Sequence, residues 1–153
     1  MHWTIWDKSK PSPLELLLEA DPSETQITQY LDKSTVFELK DDEKTMGVVC
    51  LLPINNHQIE IMNIAVLESI RNKGLGKKLL EKAFDFANSY HFTEVIVKTG
   101  NSSINQLAFY QKNGFRIQKI VPNYFSEQYP NQAIIENGIP CLDQIILLKE
   151  IKS

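Results

Sequence analysis

Residues 59–98 switch between two hydrophobic periods, and that switching restricts the fold more than any other part of the chain. Ile59 to Val66 reads as a strand, apolar on both faces apart from Glu60 and Asn63. A strand of that kind lies in a sheet interior. A glycine-containing turn follows. Leu75, Leu79, Ala83, Phe86, Ala87 and Tyr90 then recur on one stripe of a helix running to about Tyr90. Phe92 to Lys98, with Val95, Ile96 and Val97 in sequence, reads as a second buried strand. Strand, helix and strand in that order imply a right-handed crossover and parallel pairing.

The turn has an unusual charge. Arg71, Lys73, Lys77 and Lys78 gather at the start of the helix, and the first acid after them is Glu81. A helix N-terminus already carries partial positive charge and attracts Asp and Glu. Four cations there are unfavourable unless an anion sits on the turn, held by free backbone N–H groups and the side chains. Arg71-Asn72-Lys73-Gly74-Leu75-Gly76-Lys77-Lys78 therefore reads as a phosphate cradle. It is not a Walker A loop: Gly74 and Gly76 are too close and no Ser or Thr follows. It is not a dinucleotide fingerprint, because Leu79 stands where a third glycine belongs.

The remaining chain adds antiparallel strands and helices. His2 to Asp7 is a first strand. Leu14, Leu17 and Leu18 form a short helical face. Asp21-Pro22-Ser23-Glu24 opens another helix with Asp21 as the expected N-cap, and Ile27, Tyr30 and Leu31 are its apolar side. Ser34 to Lys40 and Thr45 to Leu52 form a hairpin turning at Asp41–Lys44, with Gly47 at a bulge. Ile104 to Asn113 is a helix ended by Gly114 at C′. Phe115 to Val121 and Leu142 to Ile151 are strands, and Pro122 to Pro140 between them reads as irregular. The sum is an α/β fold: a mixed sheet with helices on both faces, in one domain spanning residues 1–153.

Composition narrows the function. The formal net charge is −3, so the basic turn is a local patch and an extended nucleic-acid surface is excluded. No apolar run approaches the ~18 residues of a membrane span. The N-terminus lacks a signal peptide's basic region and apolar core. Cys50 and Cys141 lie in apolar runs and read as buried thiols in a reducing compartment, which points to the cytoplasm. His2, His57 and His91 have no second ligand at metal spacing, so no metal is expected.

The strand, the Arg71-x-x-Gly74-x-Gly76 turn and the later Tyr110-Gln111-Lys112-Asn113-Gly114-Phe115 together resemble the GNAT superfamily of acyl-CoA-dependent N-acetyltransferases. The likeness covers roughly residues 45–121 by motif and the remainder by element order. It implies a central six- to seven-stranded mixed sheet flanked by about four helices. It also implies acetyl-CoA as cosubstrate, an amine-bearing small molecule or peptide as acceptor, and a possible homodimer.

The resemblance also assigns roles. Arg71, Asn72, Lys73, Gly74, Leu75, Gly76 and Lys77 would hold the pyrophosphate. Backbone groups of Ile64, Ala65 and Val66 would pair with the pantetheine arm, where strand 59–66 splays from strand 93–98. Tyr110 would protonate the leaving thiolate. The family's cofactor-contacting Asn falls here on Ser103, so Asn101 or Asn105 takes that place. Glu60 is the general-base candidate, acting directly or through water. Period-2 alternation puts it on one face with Met62, Ile64 and Val66, apolar surroundings that disfavour its charged form. Residues 122–143 would wall the acceptor pocket. Tyr124, Phe125, Glu127, Tyr129 and Asp143 are the candidates there, joined by Asn123 and Glu136; aromatics with acids suit a cationic amine. A non-catalytic module that senses CoA through the same cradle is the alternative.

Overall fold

In the computed structural model, which describes residues 1–152, the chain before the basic turn builds an antiparallel half-sheet. Strands β1 (His2–Ile5), β2 (Thr35–Asp41), β3 (Lys44–Pro53) and β4 (Gln58–Val66) are successive antiparallel neighbours. Helices α1 (Leu14–Ala20) and α2 (Glu24–Leu31) leave and re-enter this half between β1 and β2. After β4 comes a 3-10 turn, Glu68–Ile70, and then α3 (Leu75–Ser89), which crosses over to β5 (Glu94–Gly100). β5 pairs parallel with β4, as the strand–helix–strand pattern requires. Helix α4 (Ile104–Lys112) leads to β6 (Arg116–Val121), and the final strand β9 (Gln144–Glu150) inserts between β5 and β6. The order β1-β2-β3-β4-β5-β9-β6 is a seven-stranded mixed sheet, at the upper end of the expected range. Ser153, the last residue of the expected domain, lies outside the described residues.

The sheet separates two apolar layers. On one face Leu75, Leu79, Leu80, Ala83 and Ala87 of α3 and Tyr110 of α4 pack on Val49, Leu51, Ile59, Ile61, Val95, Val97 and Leu147. On the other face Leu16 and Leu17 of α1 and Ile27, Tyr30 and Leu31 of α2 pack on Val36, Val48, Cys50 and Ala65. Fully burying one such aliphatic side chain stabilises by about 1.5–3 kcal/mol, so these stripes dictate which face each helix covers. The expected α3 stripe overran its end by one residue. Tyr90 is the C-cap and is 65% exposed, its ring stacked on Phe86 with centroids 4.5 Å apart and its outer face turned away from the core.

Three local features depart from expectation or refine it. The α2 cap is Ser23, not Asp21: the Gln26 N–H donates to Ser23 Oγ at 3.2 Å. Asp21 Oδ1 instead accepts from the Ser23 N–H at 3.1 Å, which fixes the turn before the cap. Ser23→Ala is expected to cost about 1 kcal/mol in chemical unfolding. The α4 terminus follows the glycine rule. The Phe115 N–H donates to Tyr110 O and the Gly114 N–H to Gln111 O, with Gly114 at φ +95°. Residues 122–140, expected to be irregular, contain α5 (Tyr124–Gln128) and a small hairpin of β7 (Ile135–Glu136) and β8 (Ile139–Pro140). Helix α5 starts after Asn123, whose N–H donates to Asp143 Oδ1 at 2.9 Å, and the Phe125 N–H donates to Leu142 O. These partners lie some twenty residues away, and no local pattern announces them. Among the described residues there are five α-helices, in keeping with the expected four or so.

Two bulges set the sheet's facing. Leu39 pairs with Gly47 but Lys40 pairs with Thr45, so Met46 beside Gly47 is the extra residue on β3. Cys50 pairs with Asn63 but Leu51 pairs with Ile61, so Met62 is the extra residue on β4. An inserted residue breaks the period of two. The second bulge therefore corrects the expected facing of Glu60. Ile59 and Ile61 join the α3 layer before it, and Ile64 and Val66 pack against that same layer after it. Met62 and Ala65 belong to the α1–α2 layer. Glu60, between Ile59 and Ile61, lies on the α1–α2 face, opposite to Ile64 and Val66.

Candidate active site

The parallel pairing of β4 with β5 is short. It runs only from Gln58–Glu94 to Ile61–Val97. Past that rung β5 stays with β9 as far as Gly100, while β4 stays with β3 as far as Val66. The two strands fork, and the β5-side edge of β4 from Met62 to Val66 has no strand partner among the described residues. Ile64, Ala65 and Val66 occupy that edge. An open strand edge presents backbone donors and acceptors to any extended chain laid in the fork.

The basic turn follows at the head of the fork. Asn72 and Gly74 both adopt left-handed backbone, at φ +67° and +78°. Gly74 is the N-cap of α3 and supplies no side-chain cap. After Arg71, whose N–H donates to Glu68 O at 3.3 Å, Lys78 is the next residue whose N–H finds a backbone partner, Gly74 O at 3.3 Å. Among the described residues, no N–H from Asn72 through Lys77 donates to a protein group. A curled row of free N–H groups at a helix N-terminus is an anion-binding concavity. The two glycines are required for different reasons. Gly74 needs the positive φ and has open space around it, whereas a Cβ on Gly76 would lie 3.0 Å from Phe109 Cζ. Gly76 thus lets α4 close on α3 while the turn stays open.

The four cations divide. Lys73, Lys77 and Lys78 are exposed beside the free N–H groups. Arg71 turns back instead: its Nε donates to Val66 O at 3.2 Å and its guanidinium pairs with Glu19 of α1 at 3.0 Å. It ties the turn to the end of β4 and so acts on the cradle's position.

Tyr110 and Glu60 stand on opposite faces of the sheet. Tyr110 is 5% exposed, between Phe109 and Phe115 with ring centroids at 5.4 and 5.6 Å. Burial pushes its phenol up to about 12. The hydroxyl therefore stays protonated at neutral pH and can only donate a proton there. Glu60 is not in the apolar surroundings expected. Lys98 of β5 places Nζ 3.2 Å from Glu60 Oε1, and the side chains are 39% and 11% exposed. Lys98 escaped the sequence reading. The signal was present: it sits two residues past Ile96, hence on the face of the strand that Val95 and Val97 do not use.

The loop candidates fare unevenly. Asn101 is fully committed: its Oδ1 accepts from the Leu142 and Asp143 N–H groups, both at 2.9 Å, and its Nδ2 donates to Pro140 O at 3.0 Å. It fastens β9's approach to the β5–α4 loop. Asn105 is exposed on the first turn of α4. Glu136 Oε1 accepts from both Ser102 Oγ and Ser103 Oγ at 3.0 Å, docking the small hairpin on that loop. Tyr129 OH accepts from Gln26 Nε2 at 2.6 Å, bringing segment 122–143 against α2. Tyr124 and Phe125 are half-buried against each other, Glu127 is exposed, and Asp143 is occupied with the Asn123 N–H. The segment thus meets α2 over the α1–α2 face, the side on which Glu60 lies.

Cys50 is buried under α1 and α2, and burial, with Glu38 nearby, pushes its thiol up to about 12. Cys141 is buried against Gly100. Among the described residues no group of His, Cys, Asp and Glu could hold a metal ion, and no helix is long and apolar enough to cross a membrane.

A forked mixed sheet with a glycine-basic turn at the head of the fork defines an acetyltransferase architecture, and the comparisons with known proteins agree. The model of the acetyltransferase (GNAT) family matches residues 2–115, so the chain belongs to the GNAT family. An uncharacterised N-acetyltransferase, YvbK of Bacillus subtilis (strain 168), is 40% identical over 137 residues, covering 90% of this chain and 88% of that protein. The crystal structure of a GNAT family acetyltransferase from Elizabethkingia anophelis with acetyl-CoA bound superposes with a TM-score of 0.92. It is 40% identical and covers 97% of both chains. The IAA acetyltransferase from Bacillus cereus ATCC 14579 gives a TM-score of 0.89 at 46% identity, covering 97% of this chain and 98% of that one.

Proposed function

We propose that this chain transfers an acetyl group from acetyl-CoA directly to a primary amine on a small molecule or peptide, in the cytoplasm, where its two thiols stay reduced. The observation that carries this reading is the continuity of the free N–H groups from Asn72 to Lys77 with the open edge of β4. The first fits a pyrophosphate, the second fits an amide-bearing pantetheine arm, and the same relationship holds a thioester in the fork. Acetyl-CoA supplies the activated acetyl group.

The chain's own residues then divide the chemistry across the sheet. Glu60, on the α1–α2 face, takes a proton from the incoming ammonium, directly or through water. The freed amine forms its bond to the thioester carbon from that side. A backbone N–H near Val66 faces the negative charge that grows on the carbonyl oxygen. As the carbon–sulfur bond breaks, Tyr110 on the α3–α4 face donates its phenolic proton to the departing thiolate. Acid and base on opposite faces keep the two proton transfers apart.

No protein nucleophile takes part. A Cys50→Ala, Cys141→Ala double variant is expected to keep its turnover number within about threefold, since the Cys50 thiol, pushed up to about 12, supplies almost no thiolate at neutral pH and Cys141 is buried against Gly100. Trapping an acetylated cysteine on the wild-type chain would contradict direct transfer. A thermal-shift titration with CoA tests the cradle itself. A ligand at 100 times its Kd stabilises by about 2.7 kcal/mol, so the melting temperature should rise by several degrees. No rise at millimolar CoA would remove the basis of the reading. A rise without turnover on any amine would make the chain a CoA sensor.

A further inference from the structure

We infer that the acceptor is an amino-acid-like amine, one that carries a carboxylate close to the amino group, and that Lys98 is the residue that selects it. This rests on the acetyl-transfer reading above and adds the acceptor class.

The inference comes from the Glu60–Lys98 pair and its position. Glu60 is on β4 within the last paired stretch, and Lys98 is the first residue of β5 past the Ile61–Val97 rung. The pair therefore stands at the mouth of the fork, on the face from which the amine arrives. Both side chains project to that face, since Ile59, Ile61, Val95 and Val97 fill the α3 layer on the other. Toward β9 the surface beside the pair is apolar, and on its other side the Glu94 carboxylate is taken up by Gln58, whose Nε2 donates to it at 2.8 Å. Ile96 is 7% exposed, and Leu148 and Ile146 of β9 are half-buried in register with Ile96 and Lys98.

Charge counting in this setting separates acceptor classes. An ammonium needs Glu60 both as counter-ion and as proton acceptor. If the acceptor brings positive charge alone, Glu60 must leave Lys98 for it. One carboxylate then faces two cations on a largely apolar floor, and breaking a partly buried pair without replacement is costly. An acceptor with a carboxylate exchanges partners instead: its ammonium takes Glu60, its carboxylate takes Lys98, and every charge stays paired. The exchange also draws Lys98 off Glu60, which frees the carboxylate oxygens to accept from the ammonium. Polyamines and polycationic antibiotics meet an unneutralised lysine beside the base and are disfavoured.

The test is a matched acceptor panel read by acetyl-CoA-dependent thiol release. It comprises the common α-amino acids and β-alanine, the carboxamide of each, and the polyamines putrescine and spermidine. The wild-type chain should favour at least one free amino acid over its carboxamide by about tenfold or more in kcat/KM, the size of one charge-assisted hydrogen bond. Lys98→Ala should bring that ratio close to one, Lys98→Glu should invert it, and Lys98→Arg should preserve it. A CoA thermal shift retained in each variant shows that it is folded and keeps its cradle. Equal turnover of amino acids and carboxamides, or a preference for polyamines that survives Lys98→Ala, would overturn this acceptor class while leaving acetyl transfer standing. Absence of turnover on every amine, with CoA still bound, would remove both.

Discussion

Tyr110→Phe should lower kcat by roughly 10²-fold or more while leaving the CoA thermal shift intact, because it deletes one proton and almost no volume. The residue sits at the end of α4, held by Phe109, Phe115 and the glycine-terminated turn after it. The phenyl ring of the variant keeps all of that packing, so stability should barely change. The loss appears in kcat because the proton is needed only as the carbon–sulfur bond breaks. The pH profile adds an independent check. A phenol pushed up to about 12 is protonated at every pH below that, so the wild-type kcat should show no falling alkaline limb from this group up to pH about 10. A kcat unchanged in Tyr110→Phe would assign the leaving-group proton to solvent.

The second large effect belongs to the cradle. Lys73→Glu with Lys77→Glu should weaken CoA binding by about 10²-fold. Both side chains are exposed and, among the described residues, neither takes part in an ion pair, so the change breaks no contact, and acids at a helix N-terminus favour the free fold. Each reversal removes an exposed charge–phosphate attraction of about 0.2–1 kcal/mol and adds a repulsion of similar size, roughly 2–3 kcal/mol over the pair of substitutions. The gap between variant and wild type should narrow at high salt, since the screening length falls from ~10 Å at 0.1 M to ~3 Å at 1 M. Titration calorimetry at two ionic strengths reads both quantities. A wild-type affinity for the double variant would leave the backbone N–H groups alone to hold the phosphates.

Much of this fold was legible because its signals are local. The α3 stripe, the Gly114 cap and the run from Val95 to Val97 each report on neighbours within a few residues, and each element stands where its pattern put it. The open start of α3 was legible for the same reason: its glycines and cations all lie within eight residues. What escaped is non-local. Met62 looks like an ordinary strand residue, and only its pairing with β3 makes it a bulge that reverses the facing of Glu60. Asn101 looks like a free polar loop residue until the 140–143 segment arrives to occupy its amide. Arg71 looks like one more free cation of the turn, yet Glu19, 52 residues earlier, pairs with it. Lys98 had a readable position on its strand, but its importance depends on Glu60 lying beside it on the neighbouring strand, and no single segment contains both.

Direct acetyl transfer is the central claim, and quantifying both products of one reaction tests it most directly. The chain is mixed with acetyl-CoA and each amine of the acceptor panel, and free CoA thiol and acetylated amine are measured together by mass spectrometry. The account predicts that thiol and acetyl-amine appear in equal amounts with at least one acceptor, at a rate that Tyr110→Phe lowers by roughly 10²-fold. Thiol release without any acetylated amine, or no release beyond that of acetyl-CoA alone while CoA still raises the melting temperature, would contradict it.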